Sequence, residues 1–358
     1  MKICLVGPCS PLDLTSHLSD FNIELNKDVK FYRGIPVSTL ADTLLRAGYE
    51  VEIVSSAMNL GLEEKIFSGN KLKFTVVLAS SSPRNRALTL FWSDRKRLRK
   101  IIRSSNADIF HAHWTYEFAL AALRSKKNVL VTAHDAPVEI LRHYRDLYRF
   151  FRLILSLVVR LNCKNLAFVS PYLALKWKRQ MLWYKKYFIL PNLIPPDFTE
   201  IVPRTVEKSN TILCVADGYG LKNVKALIKA WQIVRSEIRN YTLVLVGPGL
   251  GNDQLREWAK DQSLDVQIEW KGYVERAEIL NLMEISTLLC HPSLEESHCL
   301  AILEALSCGL PVIAGRNSGA IPWSVGDAAV LVDVTDPSEI ANSILLLIKS
   351  PKLRNDLS

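Results

Sequence analysis

With 358 residues, 49% apolar and 23% charged, the chain is too long for one ordinary hydrophobic core and suits two domains of a soluble α/β protein. Lys and Arg outnumber Asp and Glu by nine, but residues 1–200 carry 30 basic and 17 acidic side chains while residues 201–358 carry 15 and 19. A basic first half attracts acidic lipid headgroups, phosphorylated substrates or nucleic acid, and without a zinc-finger spacing, an RNA-binding aromatic signature or a helix-turn-helix pattern nucleic acid is the weaker choice and no nucleic-acid partner is expected.

In chain order, residues 2–7 read as a buried strand. Gly34 precedes the helical pattern Leu40, Leu44, Leu45, and residues 51–54 form a second strand, giving a βαβ unit. Residues 83–103 read as one basic helix with Phe91 and Trp92 at its start, suited either to an anionic membrane surface or to packing on the sheet with its charges in water. Residues 108–114 are a strand ending in a histidine-rich loop. His111 and His113 are read as facing opposite sides of it, a poor metal pair with no third ligand. A helix over 118–123 leads to the strand 129–133 and to His134, placed at the carboxyl end of that strand where a site would open.

A second basic amphipathic stretch spans 142–160, followed by a strand at 166–169 and another at 187–190. Pro195, Pro196 and Pro203 mark a linker, so the domains are expected at 1–195 and 196–358. The second domain opens with a strand at 211–216 and a loop, Asp217 to Asn223, that carries Lys222 into a helix over 226–234. Strands follow at 241–247 and 266–270, then Tyr273 and Val274 and a helix over 278–285.

Residues 287–315, TLLCHPSLEESHCLAILEALSCGLPVIAG, read as strand, loop, helix, turn and strand. Apolar Leu300, Leu303 and Leu306 recur at helical spacing, and Gly309 and Pro311 supply the stop. Glu296 falls in the loop and Glu304 in the second helical turn, at the carboxyl end of a parallel strand where the helix start offers N–H groups to an anion. Two carboxylates beside such a site suit a ligand with both phosphates and hydroxyls. A strand at 329–332 and a helix at 337–348 complete the pattern.

The seven cysteines, Cys4, Cys9, Cys163, Cys214, Cys290, Cys299 and Cys308, are scattered in apolar runs, as expected of reduced core residues in the cytosol. Neither a secretory signal nor a spanning helix is read, since Arg152 and Arg160 interrupt the most apolar segment.

Pro292-Ser293, Glu296, Leu300, Glu304-Ala305, Cys308-Gly309 and Pro311-Val312 resemble in order the glutamate-seven-residues-glutamate signature of the retaining family 4 glycosyltransferases, whose GT-B fold pairs two Rossmann-like domains across a cleft. The resemblance implies transfer of a sugar, with retention, from a nucleotide-sugar donor (UDP- or GDP-) to a glycan or lipid-linked acceptor held by the first domain, while the basic charge of the first half points to a cytoplasmic protein peripheral at the inner face of an anionic membrane. It implies that Glu304 holds the ribose hydroxyls, Glu296 the sugar hydroxyls, and Lys222 with the N–H groups of Cys299 and Leu300 the diphosphate. His134 lies near the sugar, the main chain of Tyr273 and Val274 borders the base, and Gly34 touches donor phosphate or acceptor. No further cofactor and no divalent metal are expected, in keeping with the absence of an Asp-x-Asp pair.

Three departures stand out. Asp217 replaces a usual arginine, Ser297-His298-Cys299 replaces Gly-Phe-Gly, and the family's crossover helix back to the first domain is not read within these residues. A nucleotide-sugar epimerase or hydrolase, or a non-catalytic GT-B subunit, remain alternatives.

Overall fold

A computed structural model describes all residues except 81, 126, 200–208, 219, 252–253 and 358, and the side chains of 83, 84 and 199. Pro203 of the expected linker, Tyr219 of the expected loop and the Arg84 side chain therefore lie outside the described residues. The chain divides into two compact units, Met1–Leu193 and Ile194–Ser358.

The first unit is built on β1 (Lys2–Val6), β2 (Lys30–Phe31), β3 (Glu50–Met58), β4 (Glu64–Ser68), β5 (Leu72–Leu78), β6 (Ile109–His113), β7 (Val129–Ala133), β8 (Asn165–Phe168) and β9 (Tyr187–Ile189). Their order is β4-β5-β3-β1-β6-β7-β8-β9, parallel except for β4 against β5 and β2 against β3. Alternation along each strand sorts side chains to two cores: Cys4, Val6, Phe110 and Ala112 face one, Ile3 and Leu5 the other. Helices cover both faces, so the strands are near-continuous apolar runs.

The basic stretch 83–103 is two helices, Pro83–Leu88 and Trp92–Ser104, rather than one. Leu90 and Phe91 between them adopt left-handed backbone, φ 48° and 57°, and Phe91 is fully buried. Burial of that ring outweighs the helical tendency of its neighbours. The same turn swings Arg86 inward, where its Nε donates to Asp94 at 2.8 Å and its guanidinium also bonds the Tyr32 hydroxyl. Residues 142–160 likewise split, into Pro137–Tyr144 and Leu147–Asn162, with the Asp146 carboxylate accepting from the Arg149 N–H at the second start.

The second unit contains β10 (Thr211–Val215), β11 (Thr242–Val246), β12 (Ile268–Gly272), β13 (Leu288–His291), β14 (Val312–Gly315) and β15 (Val330–Val332), all parallel in the order β12-β11-β10-β13-β14-β15. Ile212 and Cys214 face one core and Leu213 the other, which is shared with Ile302 and Ala305 of the helix Leu300–Ser307. From β10 the chain builds outward through β11 and β12, then returns to the other side of β10 as β13. That reversal is where ligands bind in open α/β sheets. Among the described residues no helix is long and apolar enough to cross a membrane, and none of the seven cysteines forms a disulfide, all but Cys308 being buried.

Candidate functional site

Because β10 and β13 are hydrogen-bonded neighbours, the loops leaving their carboxyl ends emerge side by side. The two loops are stitched together. The Leu294 N–H donates to the Leu221 carbonyl at 2.9 Å, and the buried Ser293 hydroxyl donates to the same oxygen at 3.3 Å. Asn223 takes a left-handed φ of 52° before the helix Val224–Glu237 and donates to the Val334 carbonyl at 2.7 Å.

This stitching brings Lys222 Nζ to 2.6 Å from Glu296 Oε1, and His291 Nε2 lies 2.9 Å from the same oxygen. Cys299 Sγ is 3.3 Å from His291 Nε2. Burial disfavours every charge here, but mutual attraction outweighs it. Glu296 is held down to about 2 by Lys222 and His291, and Lys222 is raised above its ordinary value by Glu296. The His291 imidazolium is favoured by Cys299 and Glu296, which raise it to about 10. Asp217 adds its negative charge to those favouring the Lys222 cation.

The backbone of Glu296 is equally fixed. Its carbonyl accepts from the Ala320 N–H at 2.8 Å, and a Cβ on Gly319, whose φ is +68°, would sit 2.3 Å from that oxygen. Glycine is required there by both space and backbone.

Cys299 is the N-cap of the helix Leu300–Ser307, and its side chain makes no capping hydrogen bond. Among the described residues no side chain accepts from the leading N–H groups, an arrangement that suits an anion. Glu304, one turn further in, is half-buried and makes no side-chain hydrogen bond or ion pair among the described residues. Burial raises its pKa to about 6, opposed by the Arg276 charge. A half-buried carboxylate with no hydrogen bond among the described residues can accept from hydroxyl donors outside the chain.

Of the remaining sequence-derived candidates in this unit, Tyr273 is exposed and its hydroxyl donates to Glu275 at 3.2 Å, while Val274 packs against the core that holds Ile302. His298 lies beside Trp323, ring centroids 5.9 Å apart, and burial lowers its pKa to about 4.

In the first unit, His134 follows β7, its Nε2 3.0 Å from His113 Nδ1. The expectation that His111 and His113 face opposite ways is wrong. Residues two apart on a strand share a face, and their rings stand 4.2 Å apart. Burial favours the neutral form of both, lowering His111 to about 4 and His113 well below its ordinary value. His111, His113 and His134 line a cavity of about 420 Å³ whose other walls, including Leu40, Leu44 and Leu190, are largely apolar. Gly34 caps the helix Ile35–Arg46, and a Cβ there would lie 2.2 Å from the Pro8 carbonyl, so close backbone packing accounts for the glycine.

Sequence reasoning gave no role to His291 or Arg276. The signal for His291 was present, as a histidine closing a buried strand five residues before Glu296 and eight before Cys299. Nothing in the spacing pointed to Arg276.

Residues 37–198 match the family model described as Glycosyltransferase Family 4, and residues 198–358 the model described as Glycosyl transferases group 1. An O-antigen chain mannosyltransferase B of Escherichia coli is 33% identical over 135 residues, 37% of this chain and 35% of that protein. An N-acetyl-alpha-D-glucosaminyl L-malate synthase of Bacillus anthracis is 21% identical over 90% of this chain and 86% of its own length. Among solved structures, a sucrose-phosphate synthase from Thermosynechococcus elongatus superposes with a TM-score of 0.76 at 16% identity, covering 100% of this chain and 92% of that one, a likeness of fold. Joined to the two parallel-sheet units and the Lys222, Glu296 and Glu304 arrangement, these matches place the chain in the group 1, family 4 glycosyltransferases of the GT-B fold.

Proposed function

We propose that this glycosyltransferase moves a hexosyl group, with retention and without a divalent metal, from a UDP- or GDP-sugar to a glycan or lipid-linked acceptor in polysaccharide or glycolipid synthesis. The observation that carries the donor assignment is the half-buried Glu304 carboxylate, which makes no hydrogen bond or ion pair among the described residues, on a helix whose N-cap Cys299 makes no capping hydrogen bond. The two supply, within two turns, acceptors for ribose hydroxyls and donors for a diphosphate.

Departure of the nucleoside diphosphate develops negative charge on the leaving oxygen. Lys222 and the N–H groups of Cys299 and Leu300 are preorganised cations and donors for it. Glu296 receives the sugar hydroxyls on the oxygen that Lys222 and His291 leave free, and His134 of the first unit serves the transfer, as the family resemblance implies. Tyr273 and Val274 border the base. The mannosyltransferase and malate-synthase relatives support a sugar donor and a non-nucleotide acceptor.

The reading includes residence at the inner, cytoplasmic face of an anionic membrane. Leu147, Phe150, Leu157 and Leu161 form an exposed apolar stripe on the helix Leu147–Asn162, next to exposed Arg142 and Arg145. On Trp92–Ser104, exposed Trp92, Lys96 and Arg103 make a second such face.

Thermal unfolding with UDP-, GDP- and ADP-sugars tests the donor site. A ligand at about a hundredfold its Kd adds roughly 2.7 kcal/mol to stability, read as a melting-point rise of several degrees. No shift with any of the three at saturation would remove the assignment.

A further inference from the structure

We propose that His291, Glu296 and Cys299 form a binding site for Zn2+, in which metal and the Lys222 ammonium compete for one carboxylate. His291 Nε2, one Glu296 oxygen and Cys299 Sγ all lie within 4.8 Å of one another. His291 is 1% and Cys299 6% exposed. Imidazole, carboxylate and thiol are the ligands that borderline-soft Zn2+ takes, and three of them with one open position is the arrangement of an exchangeable rather than a closed structural site.

The distances are near those a metal needs. Bonds of about 2.0 to 2.3 Å set tetrahedral ligands roughly 3.3 to 3.8 Å apart. The Sγ to Nε2 separation of 3.3 Å already fits, and the 2.9 Å from Nε2 to Glu296 Oε1 needs only a small side-chain rotation. What opposes the metal is also visible. Lys222 sits on the same Glu296 oxygen at 2.6 Å, and a cation entering must displace that ammonium. With Nε2 on a metal the ring hydrogen rests on Nδ1, which is buried without a hydrogen-bond partner among the described residues. Metal-bound histidines ordinarily donate that N–H to a neighbour, so this site is expected to release its ion readily. The proposal stands on these side chains and not on the donor assignment. Its consequence for that site is that bound Zn2+ opposes use of Lys222 and Glu296.

The test is titration of the chelator-treated, reduced chain, free of nucleotide, with ZnCl2 by calorimetry and with CoCl2 by absorption. One Zn2+ per chain and a near-ultraviolet thiolate-to-cobalt band are expected. Cys299→Ser and His291→Gln are expected to weaken zinc by roughly tenfold or more, and Cys299→Ser to abolish the band. Cys308→Ser, at a half-buried cysteine outside the cluster, is expected to change neither. Serine is a favoured helix cap, so Cys299→Ser keeps the fold testable. Stoichiometry well below one in the unaltered chain, or a thiolate band that survives Cys299→Ser, would overturn the proposal.

Discussion

Lys222 Nζ and Glu296 Oε1 are 2.6 Å apart although 74 residues separate them, and both side chains are largely withdrawn from solvent. The pair exists because β10 and β13 are adjacent at the sheet's reversal, so it reports the assembly of the whole half-sheet at a single contact.

That contact makes stability sensitive to acid. Glu296 is held at about 2 against an ordinary 4.5, so its contribution is complete above pH 4.5 and is lost as pH falls through 2. His291, raised to about 10 from 6.5, acts oppositely, its contribution complete below pH 6.5 and lost as pH rises through 10. Glu296→Gln is expected to lower stability near neutrality by on the order of 3 kcal/mol, because two buried cations lose their anion, and to flatten the acid limb. Melting curves from pH 2 to 8 for both proteins check this. An unchanged acid limb would show that the pair does not carry it.

Glu304 is expected to behave in the opposite sense. Its pKa is raised to about 6 by burial, so the unliganded fold loses stability as pH rises from 4.5 through 6. Glu304→Gln should stabilise the unliganded protein at pH 8 by up to about 2 kcal/mol while removing the melting-point shift given by the nucleotide-sugar. A gain in unliganded stability at pH 8 together with loss of the ligand shift in this one variant is the signature to look for in paired melts.

His134→Ala leaves buried His113 with neither ring nitrogen paired among the described residues, where Nε2 already has no hydrogen-bond partner. The expected cost is about 1 to 3 kcal/mol, together with a loss of transfer rate. Chemical denaturation and an acceptor-dependent product assay on the same variant separate the two. A variant of full stability and full rate would assign His134 to neither role.

Leu157→Asp, on the exposed stripe, should leave folding intact and reduce sedimentation with anionic vesicles at low salt. Each basic side chain near the lipid contributes roughly 1 kcal/mol, so binding by the parent should also fall as salt rises. Equal sedimentation of both proteins, or none by the parent at low salt, would exclude this face as the contact.

The parallel strands were legible because burial on two faces writes them as apolar runs, and with them the loops after β10 and β13 that carry Lys222 and Glu296. The hairpin of β4 and β5 passed unread, since alternate Lys71 and Lys73 break the apolar run and the turn at Gly69-Asn70 is short. The division of residues 83–103 could not be read locally, because it is imposed by the pocket that takes Phe91. His291 escaped notice for a similar reason: its importance depends on where Glu296 and Cys299 return in space. The paired histidines His111 and His113 were misread through the strand's period, not through missing information.

The naked start of the helix Leu300–Ser307 carries one more consequence. Under the proposed donor assignment, aspartate at Cys299 would plug the amides from within and repel the incoming diphosphate, so heat tolerance and turnover would pull apart at that one residue. The cysteine found there makes no such plug.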